Sequence, residues 1–424
     1  MQRKQFLKYL AAGGSGLAMG PLFGSTVSTS HASAPRPVDD IDLHDWSAVR
    51  QLFPLGKDRI YLNTGGLGPP SQLVLDAFWQ QTMAQAQTGE THYDLFAANR
   101  QVAVDYLGAD LEEVAYTRNA SESNSIVASG LSLEAGDEVI FESHAHPGGS
   151  FPWLNRQKLH GVKVRIFEPS AESPEENLER LFALVNRRTR VIQVSHVTAP
   201  TGILFDVHAI AREAKRQGIW FHIDAAQSVG MLPVDVHAIG CDSMGISGHK
   251  WMNGPQESGL LYIRRDRLDD VAAMHVGAHS NGPYELPDIF GYRDSAIRHE
   301  YGTRSPATAA AITAAIELQQ QIGRDRILKH GRALVRQTRT GLERIPGVEI
   351  LTPEREDMHG SMITFRVPGK VGREIASRLN TEYGLRCRPV DEMDLNAIRI
   401  SWHVYHQESD VRQLLEGVEK VLAV

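Results

Sequence analysis

The feature of this sequence that most constrains its fold is a regular alternation of short apolar segments with longer amphipathic ones between residues 112 and 264. The short segments are rich in β-branched residues and predict strands at 112–117, 138–141, 163–167, 191–195, 220–223, 242–246 and 259–264. Amphipathic segments predict helices at 71–87, 175–186 and 207–217. Strands joined by helix-length crossovers predict an α/β fold with a mainly parallel sheet between layers of helices.

The pattern changes after residue 305, and this change predicts a second, smaller domain. Helices are predicted at 307–321, 325–344, 371–383 and 409–422, and strands near Val348, Met362, Leu385 and Ala397. Mixed helices and strands without the regular alternation indicate a C-terminal α+β domain. The predicted organisation is an N-terminal segment at 35–60, a large domain at 61–305 and a small domain at 306–424.

The first 34 residues have the pattern of a targeting segment. Arg3, Lys4 and Lys8 are followed by a stretch rich in glycine and alanine, and the small residues at 32–34 resemble a signal-peptidase site. The basic start resembles a twin-arginine signal, with Arg-Lys in place of Arg-Arg. We therefore expect the folded protein to be exported by the twin-arginine machinery to the periplasm. The chain has no uninterrupted apolar run of about 18 residues, so no stable membrane anchor is expected.

Composition argues against several classes of protein. The 424 residues are 42% hydrophobic and 22% charged, which is typical of a globular protein rather than of a disordered one. The formal net charge of -7 argues against a nucleic-acid-binding protein, which would carry a basic face. Two cysteines, Cys241 and Cys387, cannot build a disulfide framework or a four-ligand zinc site, and we predict two free thiols.

Two residues at the ends of neighbouring predicted strands indicate a particular chemistry. Asp224 follows the strand at 220–223, and Lys250 follows the strand at 242–246. Open α/β sheets place their ligands at this carboxyl edge. A lysine that forms a Schiff base and an aspartate that keeps the pyridine nitrogen protonated are the two groups that pyridoxal 5'-phosphate requires. Desolvation at a partly buried position is expected to lower the pKa of Lys250.

Other interpretations of these residues remain open. Asp224 could cap a helix that starts at Ala225, and Lys250 could be a solvated loop cation. A metal site could instead be formed by four histidines that follow predicted strands, His144, His146, His196 and His249. A third alternative is a binding protein that keeps the fold without catalysis.

Six collinear motifs resemble those of the class V aminotransferases, a family of fold-type I pyridoxal phosphate enzymes. They are Leu62-Asn63-Thr64-Gly65-Gly66-Leu67-Gly68, Asn119-Ala120-Ser121-Glu122-Ser123-Asn124, His144-Ala145-His146-Pro147, Asp224-Ala225-Ala226-Gln227, Ser247-Gly248-His249-Lys250-Trp251 and Arg399-Ile400-Ser401. The Leu-Asn start and the Lys-Trp pair resemble the isopenicillin N epimerase-like branch. The resemblance runs from about Tyr61 to the C-terminus and implies an enzyme that acts on the amino group or Cα of an amino acid or of a metabolite that contains one.

The resemblance implies roles for residues around the cofactor ring and the substrate. Lys250 and Asp224 would be catalytic together with His144, which would stack on the ring, and His146 is the alternative for that position. Gln227 would bond the phenolic oxygen. His196 lies where many relatives have asparagine. Asn63 and Arg399 would bind the substrate, and Arg399 would hold its α-carboxylate.

A phosphate position is expected at the start of a helix. The segment from Asn119 joins a strand to a helix, so the backbone N–H groups of Ala120 and Ser121 would face an anion there. By resemblance, Ser247 and His249 also reach the phosphate. The resemblance further implies that the loop with Thr303 crosses to the phosphate of a partner subunit, and hence a homodimer with shared active sites.

Arg399 lies in a segment, 398–403, in which apolar and polar residues alternate as in a strand with one buried face. Ile398, Ile400 and Trp402 are predicted to face the core of the small domain, which directs Arg399 toward the cleft. The alternative is that Arg399 forms a surface salt bridge.

A second activity within the family, cysteine desulfurase, requires a mobile nucleophilic cysteine. Cys387 lies in a segment that is predicted to be a buried strand, and Met393 with its neighbours occupies the loop where that cysteine belongs. Desulfuration is therefore not expected, and a C–S lyase or desulfurase-like activity is kept as the alternative.

Overall fold

The chain alternates strands and helices as the sequence predicts in the computed structural model, which describes residues 41–423. Its strands are β1 (Ile60–Tyr61), β2 (Val114–Thr117), β3 (Glu138–Glu142), β4 (Lys163–Phe167), β5 (Thr189–Ser195), β6 (Trp220–Asp224), β7 (Ser243–Ser247), β8 (Gly259–Ile263), β9 (Asn281–Glu285), β10 (Ile289–Tyr292), β11 (Glu349–Ile350), β12 (Met362–Arg366), β13 (Leu385–Arg386), β14 (Arg388–Val390) and β15 (Ala397–Ser401).

The helices lie between these strands and at the end of the chain. They are α1 (Trp46–Gln51), α2 (Gln72–Thr88), α3 (Leu95–Leu107), α4 (Ala120–Gly130), α5 (Pro147–His160), α6 (Pro174–Phe182), α7 (Val207–Arg216), α8 (Val236–Ile239), α9 (Pro306–Ile322), α10 (Arg324–Leu342), α11 (Gly372–Tyr383) and α12 (Glu408–Leu422). Polar caps mark several starts, such as Ser71 before α2 and Asn119 before α4. Helix α6 ends earlier than predicted, at Phe182, and Asn186 instead bonds Glu138 and Thr189 in the turn that leads into β5.

The seven predicted strands of the alternating region form one sheet in the order β2-β8-β7-β6-β5-β3-β4. Strands β3 to β7 pair in parallel, and β8 lies antiparallel between β2 and β7. Every residue of β3, β6, β7 and β8 is buried, which is typical of a sheet covered on both faces. Neighbouring residues of one strand belong to different apolar clusters, as Phe221 and Trp220 do, so helices cover both faces. The α/β fold with a mainly parallel sheet is confirmed.

The C-terminal part contains a separate antiparallel sheet in the order β11-β12-β15-β14. Side chains from this sheet and from α10, α11 and α12 form their own apolar cluster, which includes Phe365, Ile400 and Trp402. The smaller α+β domain is confirmed. Helix α9, by contrast, packs with the large sheet through Ala309, Ile312 and Ile316. The predicted domain limits remain a prediction.

The short strand β1 pairs in parallel with β13, so the chain ahead of the large domain joins the small one. Leu62 belongs to the apolar cluster of the small domain, and the N–H of Ser401 donates to Leu62 O at 2.9 Å. Neither β1 nor the hairpin β9–β10 was predicted from the sequence. Pro283 lies within β9 and Pro287 in the turn after it, and proline in a segment argues against a strand. The pairing of β1 with β13 brings Asn63 to the end of β15.

The predicted signal peptide at 1–34 lies outside the described residues, so the prediction of export remains a prediction. Among residues 41–423, no helix is both long and apolar enough to cross a membrane.

Candidate active site

Asp224 and Lys250 lie at the same edge of the large sheet. Strand β6 ends at Asp224 and β7 at Ser247, and the two strands pair in parallel with Asp224 opposite Gly245. Lys250 follows in the turn after β7. Parallel strands end at one edge, so the fold brings the carboxylate and the amine together, as the sequence predicted.

The amine of Lys250 has an environment that favours its neutral form. Burial lowers its pKa to about 8, the charge of Asp224 acts in the opposite direction, and the charges of Arg399 and Arg388 lower it further. The prediction of a lowered pKa is confirmed, with desolvation as the main cause. A fraction of the amine is therefore neutral and nucleophilic near neutral pH.

The glycine-rich loop after β1 packs directly on the backbone of this lysine. The N–H of Gly68 donates to His249 O at 2.8 Å. A Cβ at Gly68 would lie 1.7 Å from the carbonyl oxygen of Lys250, closer than any side chain permits. Glycine at this position thus allows the loop to close over the segment that carries the lysine.

The carboxylate of Asp224 accepts two hydrogen bonds and does not cap a helix. Its Oδ1 accepts from the N–H of Ala226 at 3.0 Å, and its Oδ2 accepts from Nδ2 of Asn124 at 3.0 Å. Residues 226–228 and 230–231 form turns and no helix starts directly after Asp224, so the interpretation of Asp224 as a helix cap is wrong. The buried carboxylate is held in one orientation and keeps further lone pairs for a ring N–H.

A chain of buried hydrogen bonds fixes the residue that orients Asp224. The Oδ1 of Asn124 lies 2.8 Å from His222 Nε2, and His222 Nδ1 lies 2.8 Å from Ser243 Oγ, which accepts from Trp220 Nε1. Because Nδ2 of Asn124 donates to Asp224, its Oδ1 is the acceptor and His222 must carry its proton on Nε2. Burial lowers the pKa of His222 to about 3, so this imidazole is neutral. Each hydrogen bond in the series therefore has one defined donor and one defined acceptor.

The side chain of His144 contacts Thr201 and Glu168 rather than Lys250 or Asp224. Its Nδ1 is 2.9 Å from Thr201 Oγ1, and its Nε2 is 3.5 Å from Glu168 Oε1. Burial lowers the pKa of His144, and Glu168 is the charge that opposes this shift.

His146 lies closer to that pair. It caps α5, with its Nδ1 accepting from the N–H of Gly148 at 3.0 Å. Burial lowers its pKa, and the charges of Lys250 and Asp224 are the next largest influences on it. The structure therefore favours His146 over His144 for the position against a ring that is held by Lys250 and Asp224.

The four histidines do not form a metal site. Among the described residues, the one group of three ligating side chains close enough to hold an ion is Asp110, Glu113 and His237, which lies elsewhere. His196 is buried, its pKa is lowered to about 3 by burial and by the charge of His208, and its Nδ1 has no hydrogen-bond partner. The N–H of His196 donates to Asp224 O at 2.9 Å, so His196 lies beside the end of β6.

The expected phosphate position lies at the start of α4, with one donor fewer than predicted. The N–H of Ala120 donates to Ser247 Oγ at 3.2 Å and is therefore already engaged. Ser121 lines a cavity of about 480 Å³ together with Asn119. Nδ1 of His249, one residue before the lysine, is buried without a hydrogen-bond partner. Ser121, His249 and the helix start remain as groups for an anion.

Thr303 does not line the cavity that Ser121 lines in the single chain. It lines a cavity of about 400 Å³ with Arg118 and Glu122, whereas Ser121 lines the neighbouring cavity, which shares these two residues. The contribution of Thr303 to a partner subunit remains a prediction.

Arg399 and Asn63 meet at the junction of the two domains. Nη2 of Arg399 donates to Asn63 Oδ1 at 2.8 Å, and Nη1 donates to Ala199 O at 2.8 Å. Arg399 is 1% exposed and both acceptors are neutral, so the interpretation as a surface salt bridge is wrong. Its Nε is buried without a partner. Gln227 lies beside them, with Nε2 donating to Gly65 O and Oε1 accepting from Trp251 Nε1, both at 2.8 Å.

These groups fit pyridoxal 5'-phosphate. Lys250 supplies the amine, Asp224 a fixed carboxylate for the ring nitrogen, and Gln227 an amide beside them. The unpartnered Nδ1 of His249 and the hydroxyl of Ser121 supply donors for a phosphate. Asn124, His222 and Arg388 were not predicted from the sequence to have a role at this site. A polar residue within the buried strand β6 was the signal for His222, and Asn124 lay in a recognised motif.

The chain is similar to known proteins over most of its length. Residues 76–414 match the model of the aminotransferase class V family. The chain is 29% identical over 395 residues to a probable cysteine desulfurase of Pyrococcus abyssi, covering 88% of this chain and 97% of that protein. It is 28% identical over 393 residues to isopenicillin N epimerase of Amycolatopsis lactamdurans, covering 89% and 98%.

Solved structures show the same fold. The apo structure of cysteine desulfurase from Thermococcus onnurineus NA1 is 26% identical, covers 89% of this chain and 98% of that chain, and superposes with a TM-score of 0.80. The family match, the shared fold and the fit of the site together show that this chain belongs to the class V aminotransferase family and is a pyridoxal phosphate-dependent enzyme.

Proposed function

We propose that this protein moves the α-proton of an amino-acid substrate, in an epimerase or aminotransferase reaction, with Lys250 as the base. The observation that carries the proposal is the environment of the Lys250 amine. Partial burial lowers its pKa to about 8, the charge of Asp224 opposes this shift, and the charge of Arg399 adds to it. A base with a pKa near the working pH is the kind that proton transfer requires.

Each residue has a defined task in this reaction. When bound, pyridoxal phosphate supplies a ring that accepts electrons from the bond to Cα. Arg399 binds the α-carboxylate with its planar fork, and Asn63 holds that fork in place. This orientation directs Cα toward Lys250, whose neutral amine takes the proton and gives it back. Return of a proton to the opposite face of Cα would give epimerisation, and its delivery to a carbon of the cofactor instead of Cα would give transamination.

The state of both thiols supports this proposal against a desulfurase that depends on cysteine. Cys387 lies between β13 and β14 and is fully buried, which raises its pKa to about 12. Burial also raises the pKa of Cys241. The thiolate is the reactive form of cysteine, so neither residue is prepared to act as a nucleophile.

The reaction type is tested by incubating the holoenzyme with amino acids in D2O. We expect deuterium at the α-position, read by mass spectrometry and NMR, together with either the opposite enantiomer or the oxo acid. The control is Cys387→Ala, for which we expect the same exchange rate. Sulfide release from cysteine or cystine, without the opposite enantiomer or the oxo acid of the intact substrate, would favour the lyase, and its loss in Cys387→Ala would establish a cysteine-dependent desulfurase.

We also propose that the enzyme acts in the periplasm, on the basis of its N-terminal sequence. We expect a precursor with Arg3→Ala and Lys4→Ala to stay in the cytoplasm, measured by cell fractionation with the unchanged precursor as control. Normal export of the altered precursor would contradict the twin-arginine route.

A further inference from the structure

Two arginines lie directly opposite each other at the cleft. Arg388 on β14 pairs in register with Arg399 on the antiparallel strand β15. Cross-strand partners project from the same face of a sheet, and like charges in this position are destabilising. The charge of Arg388 adds to burial in lowering the pKa of Arg399, and both arginines lower the pKa of Lys250. The second arginine thus lies in the substrate cleft.

The acidic residue near these two arginines, Glu392, forms an ion pair with Arg388 and not with Arg399. Glu392, four residues along the chain, forms an ion pair with Nη2 of Arg388. Nη1 of Arg388 is buried and has no hydrogen-bond partner. Arg399 donates to two neutral oxygens, so the α-carboxylate of a substrate is the anion that it would meet. Arg388 therefore keeps donors for a second anion.

The loop that carries Glu392 is held in an unusual backbone conformation. Met393, Asp394 and Asn396 have φ values of 50°, 54° and 47°, in the left-handed region, which aspartate and asparagine tolerate but methionine rarely adopts. Such strain is typical of ligand clamps and switch segments. The side chain of Glu392 is 34% exposed, so it has room to leave Arg388 toward solvent.

We infer that Arg388 binds a carboxylate on the side chain of the substrate, and that Glu392 occupies this arginine until such a substrate displaces it. The enzyme then prefers amino acids with an acidic side chain over their neutral amides. This inference rests on the proposed function, since it takes Arg399 as the α-carboxylate site and Arg388 as the site for the distal group, two charge-assisted positions on neighbouring strands.

The test compares isosteric acids and amides. Dissociation constants of the holoenzyme are measured by calorimetry for L-aspartate, L-glutamate and L-2-aminoadipate and for the amide of each. We expect at least one acid to bind about 10-fold more tightly than its amide, as for a charge-assisted pair. Arg388→Met is expected to abolish this ratio, and Arg388→Lys to keep part of it.

Variants of Glu392 and Arg399 separate their contributions to substrate binding from that of Arg388. Glu392→Gln removes the competing carboxylate and is expected to lower the dissociation constant of the acid several-fold. This variant gives a second readout if Arg388→Met folds poorly. Arg399→Ala is expected to weaken both acid and amide at least about 10-fold without abolishing their ratio. The matched control is Arg373→Met, which breaks the exposed ion pair with Asp391 at the start of the same loop.

Two results would overturn the inference in distinguishable ways. If wild-type enzyme binds each acid and its amide equally, or if the ratio survives in Arg388→Met, the role of Arg388 is wrong and the proposed function stands. If the wild-type holoenzyme binds no amino acid in either form and catalyses no α-exchange, the proposed function fails and the inference fails with it.

Discussion

Replacing Lys250 with alanine is expected to abolish the visible absorbance of the covalently held cofactor and to lower turnover by about 10⁴-fold or more. The variant loses the amine that binds the cofactor and also the base that moves the α-proton. Folding is expected to persist, because the turn around Lys250 is held by backbone contacts, including the bond from Asn253 N–H to Lys250 O at 3.0 Å. Absorbance spectra, steady-state rates and circular dichroism measure these three effects.

The matched control for this experiment is Lys215→Ala. Lys215 is exposed on α7, and its removal should leave spectrum and rate unchanged. Full activity of Lys250→Ala would contradict the assignment of the active site. Unfolding of Lys250→Ala would instead show that the lysine also has a structural role.

Replacing Asp224 with alanine is expected to keep the visible absorbance while lowering turnover by about 100-fold or more. The amine of Lys250 is still present to hold the cofactor, but the fixed charge at the ring nitrogen is lost, and preorganised charges of this kind contribute on that scale. We also expect weaker cofactor binding, measured by the concentration of pyridoxal phosphate that restores half of the absorbance to the apoenzyme.

Asn124→Ala provides the graded comparison. It leaves the Asp224 carboxylate in place and removes the donor that orients it, at 3.0 Å from Oδ2. We expect a smaller loss of turnover than for Asp224→Ala, with a shift in the pH dependence of the cofactor spectrum. Equal losses in both variants would show that Asn124 does more than position the carboxylate, and an unaltered rate in Asp224→Ala would remove Asp224 from the mechanism.

The order of strands and helices followed from the sequence because each element carries its own local signal. The alternating apolar segments placed β6 and β7 within a residue of their observed ends, since the hydrophobic pattern of a buried strand is a local property. Parallel strands end at one edge, so Asp224 and Lys250 could be brought together before any tertiary structure was considered. The short pattern around Arg399 likewise predicted its direction, because side chains alternate between the two faces of a strand.

The tertiary structure decided what depends on pairings between distant segments. The sequence favoured His144, with His146 as the alternative, whereas the structure places His146, at the start of α5, nearer to Lys250 and Asp224. Asn63 reaches Arg399 because β1 pairs with β13, although 336 residues separate the two side chains. The opposition of Arg388 and Arg399 depends on the register of β14 and β15. Pairing and register are set by the burial of whole faces across the domain, and no single segment carries that information.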